Sequence, residues 1–130
     1  MKATGSALLD TSVVIAHLRR DPELTARLAE VAIYLPWVAL GELHYGAQRA
    51  QQREEAVTQI RDFLQIVILL LPSESTAEHY GRIKSELAQA GTLIPDNDIW
   101  IAALAREHDL PLATRDQHFA SVPGLDTLHW

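Results

Sequence analysis

The sequence predicts an α/β sandwich built on a mostly parallel sheet, and two observations support this fold class. Short apolar runs, such as residues 7–9 and 66–71, alternate along the chain with longer segments of helical periodicity. Strands that alternate with helices form parallel sheets with helices packed on the faces. The 130 residues contain no internal repeat or linker, and 48% are hydrophobic, which suits one core. We therefore expect a single domain over residues 1–130.

The first half of the chain is divided by prolines and by changes of hydrophobic period. The run at 7–9 stops at Asp10, and the apolar positions after it follow helical spacing. Pro22 is typical of a first helical turn. The expected elements are a strand at 7–9, a helix through 13–18, a helix at 24–31, a strand at 33–35, a helix at 37–47 and an amphipathic helix at 48–65.

The second half contains the clearest helix boundaries. Ser73 or Ser75 is a plausible cap for one helix, with Gly91 as its stop, and an Asp or Asn within 96–98 is a plausible cap for the next. The run at 66–71 is rich in β-branched residues and short, which predicts a central strand buried on both faces. The remaining expected elements are helices at 73–91 and from 96, strands at 110–114 and 125–130, and a short turn at 117–120.

Composition limits the classes of function. The absence of cysteine excludes disulfides and thiolate metal sites, and it is compatible with a reducing cytoplasmic setting. No apolar run reaches membrane-spanning length, and residues 1–6 do not resemble a secretory signal, so we expect no membrane partner. With 11 basic and 17 acidic residues, the net charge of −6 argues against nonspecific adhesion to nucleic acid. A nuclease that holds cations in an acidic site remains compatible with this charge.

Four acidic residues stand where the surrounding sequence is apolar. Asp10 and Asp116 each follow a short strand, Asp98 opens a helix expected to be buried, and Glu42 interrupts another such helix. Sites in parallel sheets form outside the carboxyl ends of the strands, so these acids can meet there. Burying several carboxylates without a counter-charge is costly, and a divalent cation removes that cost. Oxygen ligands alone fit Mg²⁺ or Mn²⁺, which promote phosphodiester hydrolysis.

Four ordered motifs resemble the PIN-domain nucleases, and the compact chain is most similar to the VapC-type toxins of bacterial toxin–antitoxin pairs. The motifs are LLDTSVVI at 8–15, LGELHYG at 40–46, PDNDIWIAALA at 95–105 and LATRDQHF at 112–119. The resemblance covers essentially the whole chain. It implies a PIN-like three-layer α/β/α sandwich with four to five mostly parallel strands. It also implies an endoribonuclease that depends on Mg²⁺ or Mn²⁺ and leaves a 5′-phosphate and a 3′-hydroxyl.

The resemblance assigns roles to particular residues. Asp10, Glu42, Asp98 and Asp116 form the implied catalytic quartet. Asp10 and Asp98 would hold the principal metal, Asp116 would complete the sphere or hold a second ion, and Glu42 would orient the attacking water. Asp98 is selected over Asp96 because it precedes Ile-Ala-Ala by three residues.

Supporting roles follow from the same motifs. Thr11 and Thr114 match hydroxyl positions that hold metal-bound water or a neighbouring carboxylate. Asp96 could serve as a helix cap or as an acid behind the ligands. Arg115 is the basic residue we expect to contact RNA, because it stands next to Asp116.

Partners are also implied by the resemblance. VapC-type toxins form homodimers and are silenced by a cognate VapB-type antitoxin, whose tail enters the acidic cleft, often with an arginine that forks onto carboxylates. We expect these surfaces to include apolar residues of the helices at 38–50 and 73–90, such as Leu43, Tyr45 and Tyr80. The same residues could instead belong to the core.

Alternative functions were weighed against the residue pattern. A catalytically silent PIN-fold scaffold and a metal-dependent nuclease acting on DNA are the two main alternatives, although 130 residues leave little room for the extra helices of a flap nuclease. An aspartyl-phosphate phosphatase needs a second Asp where Ser12 stands. The six histidines show no His-Glu-x-x-His pattern, which argues against a zinc hydrolase. Trp37, Trp100 and Trp130 fall on core or edge patterns, so we expect packing before base stacking.

Overall fold

The computed structural model describes residues 5–130 and contains a five-stranded sheet in which every neighbouring pair of strands is parallel. Residues 1–4, which belong to the stretch searched for a secretory signal, lie outside the described residues. The elements in chain order are β1 (Gly5–Leu9), α1 (Thr11–Leu18), α2 (Pro22–Leu28), β2 (Val31–Pro36), α3 (Trp37–Gln48), α4 (Arg53–Leu64), β3 (Ile68–Leu70), α5 (Glu74–Ala90), α6 (Asp96–Glu107), β4 (Leu112–Thr114), a 3₁₀ helix (Gln117–Ser121) and β5 (Thr127–His129).

The alternation of side chains along β1 divides the core into two layers. Ala7 and Leu9 point to the face covered by α1 to α4, whereas Leu8 points to the face covered by α5, α6 and the 3₁₀ helix. All three residues are fully buried, because the central strand has helices on both sides. The three-layer α/β/α sandwich and the parallel sheet implied by the sequence are therefore confirmed.

The strand order β3-β2-β1-β4-β5 determines where a site can form. The chain moves from β1 to β2 and β3 on one side and then crosses to β4 and β5 on the other. β1 is thus the strand at which the direction of winding reverses, and the loops after β1 and β4 separate to leave a crevice. Asp10 follows β1 and Asp116 follows β4, so both lie at this crevice.

Helix α5 begins and ends as its sequence predicts. The Ser73 hydroxyl accepts from the Thr76 N–H, and the Thr76 hydroxyl accepts from the Ser73 N–H at 2.9 Å, which forms a capping box. Gly91 ends the helix with a left-handed φ of 71°. Glu107, at the end of α6, accepts from both hydroxyls, so the start of α5 is tied to the end of α6.

Helix α6 contradicts the prediction of an acidic or amide cap. Pro95 occupies the N-cap position, and no side chain accepts from the first turn. The Asp98 N–H donates to the Pro95 carbonyl at 3.0 Å instead. The acidic side chains of this turn are directed to other partners, which are described below.

The strand predicted at 66–71 is wrong in both position and burial. It is shortened to β3 and lies at the edge of the sheet, where Ile68 is 52% exposed and Leu69 is 37% exposed. A short apolar run does not distinguish an edge strand from a central one. Its apolar side chains are exposed because β2 pairs with only one side of β3.

Two further predicted boundaries differ from the structure. Val31 begins β2, where it pairs with Gly5, and does not end the preceding helix. The helix predicted over 48–65 starts only at Arg53, because the chain reverses after α3 so that Ala47 and Ile60 reach the same core.

Within residues 5–130, no helix is both long and apolar enough to span a bilayer.

Candidate active site

Asp10 is the buried anchor of the site. It is 5% exposed, and it caps α1, with its Oδ1 accepting from the Thr11 N–H at 2.7 Å. Its Oδ2 accepts from two hydroxyls, Ser12 at 2.9 Å and Thr114 at 2.8 Å. These hydrogen bonds stabilise the charged carboxylate inside the protein and fix its direction.

The two hydroxyls also hold the turn that contains Asp116. The Ser12 Oγ accepts from the Arg115 N–H at 3.1 Å, and the Thr114 Oγ1 accepts from the Asp116 N–H at 2.9 Å. Each hydroxyl therefore receives a backbone N–H from the loop after β4 and donates to the same oxygen of Asp10. This arrangement fixes the spacing between Asp10 and Asp116.

Glu42 reaches the site from the middle of α3. The Thr11 Oγ1 donates to Glu42 Oε1 at 2.7 Å, across 31 residues of sequence. Thr11 thus uses its backbone N–H for Asp10 and its hydroxyl for Glu42. The hydroxyl roles expected for Thr11 and Thr114 toward neighbouring carboxylates match these contacts.

Asp98 has the most strongly perturbed carboxyl group in the site. Burial raises its pKa, and the charge of Asp10 raises it further. A hydrogen bond from His118 acts in the opposite direction, but the charges of Asp116 and Glu42 add to the increase and bring the pKa to about 6. Hydrogen bonds link Glu42, Asp10 and the Asp116 turn, and the charges of all three acids act on Asp98, so we call the cluster of these four acids the acidic pocket.

Asp116 and His118 complete the outer side of the pocket. Asp116 Oδ1 accepts from the His118 N–H at 2.9 Å and caps the 3₁₀ helix. The His118 Nδ1 lies 3.4 Å from Asp98 Oδ2 and 3.3 Å from Asp116 Oδ1. Among residues 5–130, Asp98, Asp116 and His118 are the group whose possible metal ligands all lie within 4.8 Å of one another.

His118 and Ser12 are residues of the site to which the sequence analysis gave no role. His118 stands in an exposed turn without helical or strand periodicity, and its only signal was the two-residue spacing from Asp116. Ser12 served only to exclude a phosphatase. His118 lies outside the apolar context that distinguishes the four acids, whereas Ser12 shares the apolar run of Asp10, where a small hydroxyl is not conspicuous.

Two predicted supporting residues turn away from the pocket. Asp96 Oδ1 accepts from the Lys84 ammonium at 3.0 Å and from the Tyr80 hydroxyl at 2.9 Å. The Arg115 guanidinium donates to Asp21 at 2.8 Å and to the Trp130 main-chain oxygen at 2.7 Å. Asp96 therefore faces α5, and the Arg115 side chain is held by other groups.

The residues present fit a hard divalent cation. Desolvation and three neighbouring carboxylates make the ionised form of Asp98 unfavourable, and a bound cation would reverse this balance. Asp98 and Asp116 supply the oxygen ligands that Mg²⁺ and Mn²⁺ prefer, while the His118 imidazole is less suited to Mg²⁺. The fold and the pocket together define a class of α/β proteins with a cluster of acidic residues at the carboxyl edge of a parallel sheet.

Comparison with known proteins narrows this class. The sequence matches the PIN domain over residues 7–125. Ribonuclease VapC2 of Haemophilus influenzae is 36% identical over 127 residues, covering 95% of this chain and 96% of the relative. The VapBC-1 structure from nontypeable Haemophilus influenzae matches with a TM-score of 0.88 at 26% identity, covering 96% of this chain and 98% of that chain.

A second solved structure agrees with these relationships. VapBC-5 from Mycobacterium tuberculosis, a member of the VapBC family of toxin-antitoxin systems, matches with a TM-score of 0.79 at 28% identity and covers 97% of this chain and 99% of that chain. The chain belongs to the PIN domain family and, within it, to the VapC ribonucleases.

Proposed function

We propose that this chain is an endoribonuclease that depends on Mg²⁺ or Mn²⁺ and acts as the toxin of a toxin–antitoxin pair. The observation that carries the proposal is the pocket in which Asp10, Glu42 and Asp116 surround the half-buried carboxyl of Asp98. The name of the Haemophilus influenzae relative supports RNA as the substrate, and the description of VapBC-5 supports the toxin–antitoxin setting. We propose further that residues 1–130 form one PIN domain.

The carboxylates divide the work of holding the cation and orienting water. Asp98 and Asp116 would hold the cation together with Asp10, whose Oδ1 we assign to this role because it accepts one hydrogen bond, from the Thr11 N–H, whereas Oδ2 accepts from two hydroxyls. A divalent ion in such a site supplies a nucleophilic water and stabilises the charge that develops on the phosphate. Glu42 Oε1 is bound to Thr11, so we assign the other carboxylate oxygen to orienting the attacking water. In the step we propose, water attacks the phosphorus, the bond from phosphorus to the 3′-oxygen breaks, and that oxygen takes up a proton, which leaves a 5′-phosphate and a 3′-hydroxyl.

Partners of the chain follow from the same assignment. We propose a VapB-type antitoxin that places an arginine against the acidic pocket, a homodimer, and a cytoplasmic location. Of the residues guessed for partner surfaces, Leu43 is only 6% exposed and belongs to the core, whereas Tyr45 is 65% exposed. A contact of Arg115 with RNA is retained in the proposal, and it would require the guanidinium to leave Asp21 or the Trp130 oxygen.

The test compares two isosteric substitutions in the same helical turn. Asp98→Asn removes a charge from the pocket, and Asp96→Asn removes one that faces Lys84. We expect Asp98→Asn to remain folded but to lose Mg²⁺-dependent cleavage of RNA by about 100-fold or more, as for loss of a metal ligand. Asp96→Asn should cleave at a rate close to that of the wild type.

The products give a second readout of the same reaction. Sequencing RNA 5′ ends after brief expression of the wild type and of Asp10→Ala should show new 5′-phosphate ends only with the wild type. Full activity of Asp98→Asn would remove Asp98 from the metal site. Cleavage of matched single-stranded DNA in preference to RNA would instead support the DNA nuclease alternative.

A further inference from the structure

A groove opens beside the acidic pocket, and none of its lining residues except Glu42 has a part in the proposed chemistry. Its volume is about 620 Å³, and its lining includes the aromatic rings of Trp37, Tyr45 and Trp100. Asn97 and Glu42 also line it. Because Glu42 belongs to both the groove and the acidic pocket, the two sites adjoin at this residue.

Tyr45 is the exposed ring of this groove. It is 65% exposed on α3 and belongs to neither layer of the core. The Arg49 guanidinium carbon lies 5.4 Å from the centre of the Tyr45 ring. A flat ring accompanied by a cation is the combination that recognises a base and its phosphate in single-stranded nucleic acid.

The other rings of the groove are held in place by one another. Trp100 stacks on Tyr80 with ring centres 4.0 Å apart, and it meets Trp37 edge to face at 5.8 Å. These contacts agree with the packing role predicted for Trp37 and Trp100, yet both residues also border the groove. Asn97 adds an exposed amide, which has the donors and acceptors needed to read the edge of a base.

We propose that this groove binds an unpaired base of the RNA strand whose phosphate lies at the acidic pocket. The inference rests on the proposed function and adds Tyr45 as the residue that holds a base of the substrate. A base can stack on Tyr45 only after it has left a duplex, because its π faces are covered when it is paired and stacked. Glu42 provides continuity with the catalytic pocket, and Arg49 provides charge complementary to phosphate.

The experiment measures RNA binding in an Asp98→Asn background without added Mg²⁺, so that cleavage does not consume the probe during the measurement. The probe is a fluorescein-labelled, random-sequence single-stranded RNA, and the same RNA annealed to its complement is the comparison. Tyr45→Leu keeps apolar bulk and helix propensity but removes the flat ring, whereas Tyr45→Phe keeps the ring. We expect Tyr45→Leu to weaken single-strand binding by about 5- to 100-fold, the range for loss of one stacked base.

Three controls separate stacking from other effects. Tyr45→Phe should bind the single strand within about twofold of the parent protein, since the ring is retained. Ile66→Ala removes a side chain that is 61% exposed and outside the groove, and it should leave binding unchanged. Tryptophan fluorescence should be quenched by the single strand more than by the duplex, because Trp37 and Trp100 line the groove.

The outcomes distinguish this inference from the proposed function. If Tyr45→Leu binds RNA as the parent does, or if duplex binds as tightly as single strand, the base-binding role is overturned while the nuclease assignment stands. If light scattering shows that Tyr45→Leu changes the oligomeric state and not RNA affinity, the groove is a contact between copies of the chain. If the wild type neither binds nor cleaves RNA with Mg²⁺, the proposed function fails first.

Discussion

Asp96 and Asp98 stand in the first turn of α6, separated by one residue, yet their surroundings shift their pKa values in opposite directions. Asp96 faces α5, where hydrogen bonds from Lys84 and Tyr80 hold its pKa below the ordinary value. Asp98 faces the carboxyl edge of the sheet, where burial and three carboxylates raise its pKa to about 6. Asp96 is paired with the Lys84 ammonium of the same protein, whereas we expect Asp98 to need a cation from solution. The direction in which the helix presents an acid therefore decides whether it can serve as a metal ligand.

The largest expected difference between substitutions of Asp98 and Asp96 is in Mg²⁺ binding. Saturating Mg²⁺ should raise the melting temperature of the wild type and of Asp96→Asn, because a ligand that binds only the folded state stabilises it. Asp98→Asn should lose most of this increase. Equal stabilisation of both variants by Mg²⁺ would show that the two sides of α6 do not differ in the way described.

A smaller effect is expected from Ser12, which positions Asp10 and the Asp116 turn without facing the cation itself. Ser12→Ala removes a hydrogen bond to Asp10 Oδ2 and leaves the Arg115 N–H without its acceptor. We expect Mg²⁺ affinity to fall by about 10- to 100-fold, the range seen for groups behind metal ligands. Ser85→Ala, on the exposed face of α5, is the matched control and should bind Mg²⁺ like the wild type. The measurement is Mg²⁺ titration by calorimetry, and unchanged affinity in Ser12→Ala would contradict the positioning role.

The pH dependence of stability should reveal the cost of the Asp98 charge when no divalent ion is present. Its folded pKa of about 6 exceeds the ordinary 3.8, so the folded state takes up this proton before the unfolded state as pH falls. Asp98 therefore destabilises the fold at pH 7, and that cost is lost progressively as pH falls from about 6 toward 3.8. We expect Asp98→Asn to stabilise the ion-free protein at pH 7 by about 1 to 2 kcal/mol, somewhat less than a shift of this size allows.

The control is to compare, at each pH, the free energy of unfolding of the wild type with that of Asp98→Asn. Burial lowers the pKa of His17, so His17 destabilises the fold as pH falls over the same window. Because His17 is present in both proteins, its contribution cancels when Asp98→Asn is subtracted from the wild type. The free energy of unfolding of both proteins is measured from pH 5 to pH 7, about one unit on either side of the Asp98 pKa. A difference between wild type and Asp98→Asn that stays constant over this range would contradict the raised pKa of Asp98.

The smallest expected effect is a change in the pKa of Asp96, on the side of α6 that faces α5. Lys84→Met removes the ammonium that forms an ion pair with Asp96 at 3.0 Å. The pKa of the Asp96 carboxyl should rise toward its ordinary value, because the largest cause of its lowering has been removed. Stability should change little, since both partners of this ion pair are exposed. A carbon-detected NMR titration measures the shift, and a simultaneous change at Asp98 would show that the two sides are coupled.

The sequence predicts the acidic residues of the site better than it predicts the residues that contact and position them. Asp10 and Asp116 could be placed because parallel strands end at one edge of the sheet, and Asp98 because its helix is apolar around it. His118 could not be placed, since it reaches the pocket through the geometry of an exposed 3₁₀ turn. Ser12 was missed because hydroxyls within one helical turn of an acid are common, and only the fold brings the Arg115 N–H to it.

For the fold as well, the sequence pattern predicts the elements but not how they pair and pack. Apolar spacing gives the order and type of the elements, because it follows from which faces are buried. It does not reveal that β3 has a free edge, since that depends on which strands pair. Nor does it reveal which residue occupies the N-cap of α6, because Asp96 and Asp98 are drawn away by Lys84 and by the acidic pocket.

The most direct test is an NMR titration of the Asp98 side-chain carboxyl carbon with and without Mg²⁺. Without divalent ions, its midpoint should lie near pH 6, as burial and the neighbouring carboxylates require. With saturating Mg²⁺, the midpoint should fall below the ordinary value of 3.8, because the cation favours the ionised form. A midpoint near 3.8 in both conditions would show that the acids do not share a pocket that needs a cation.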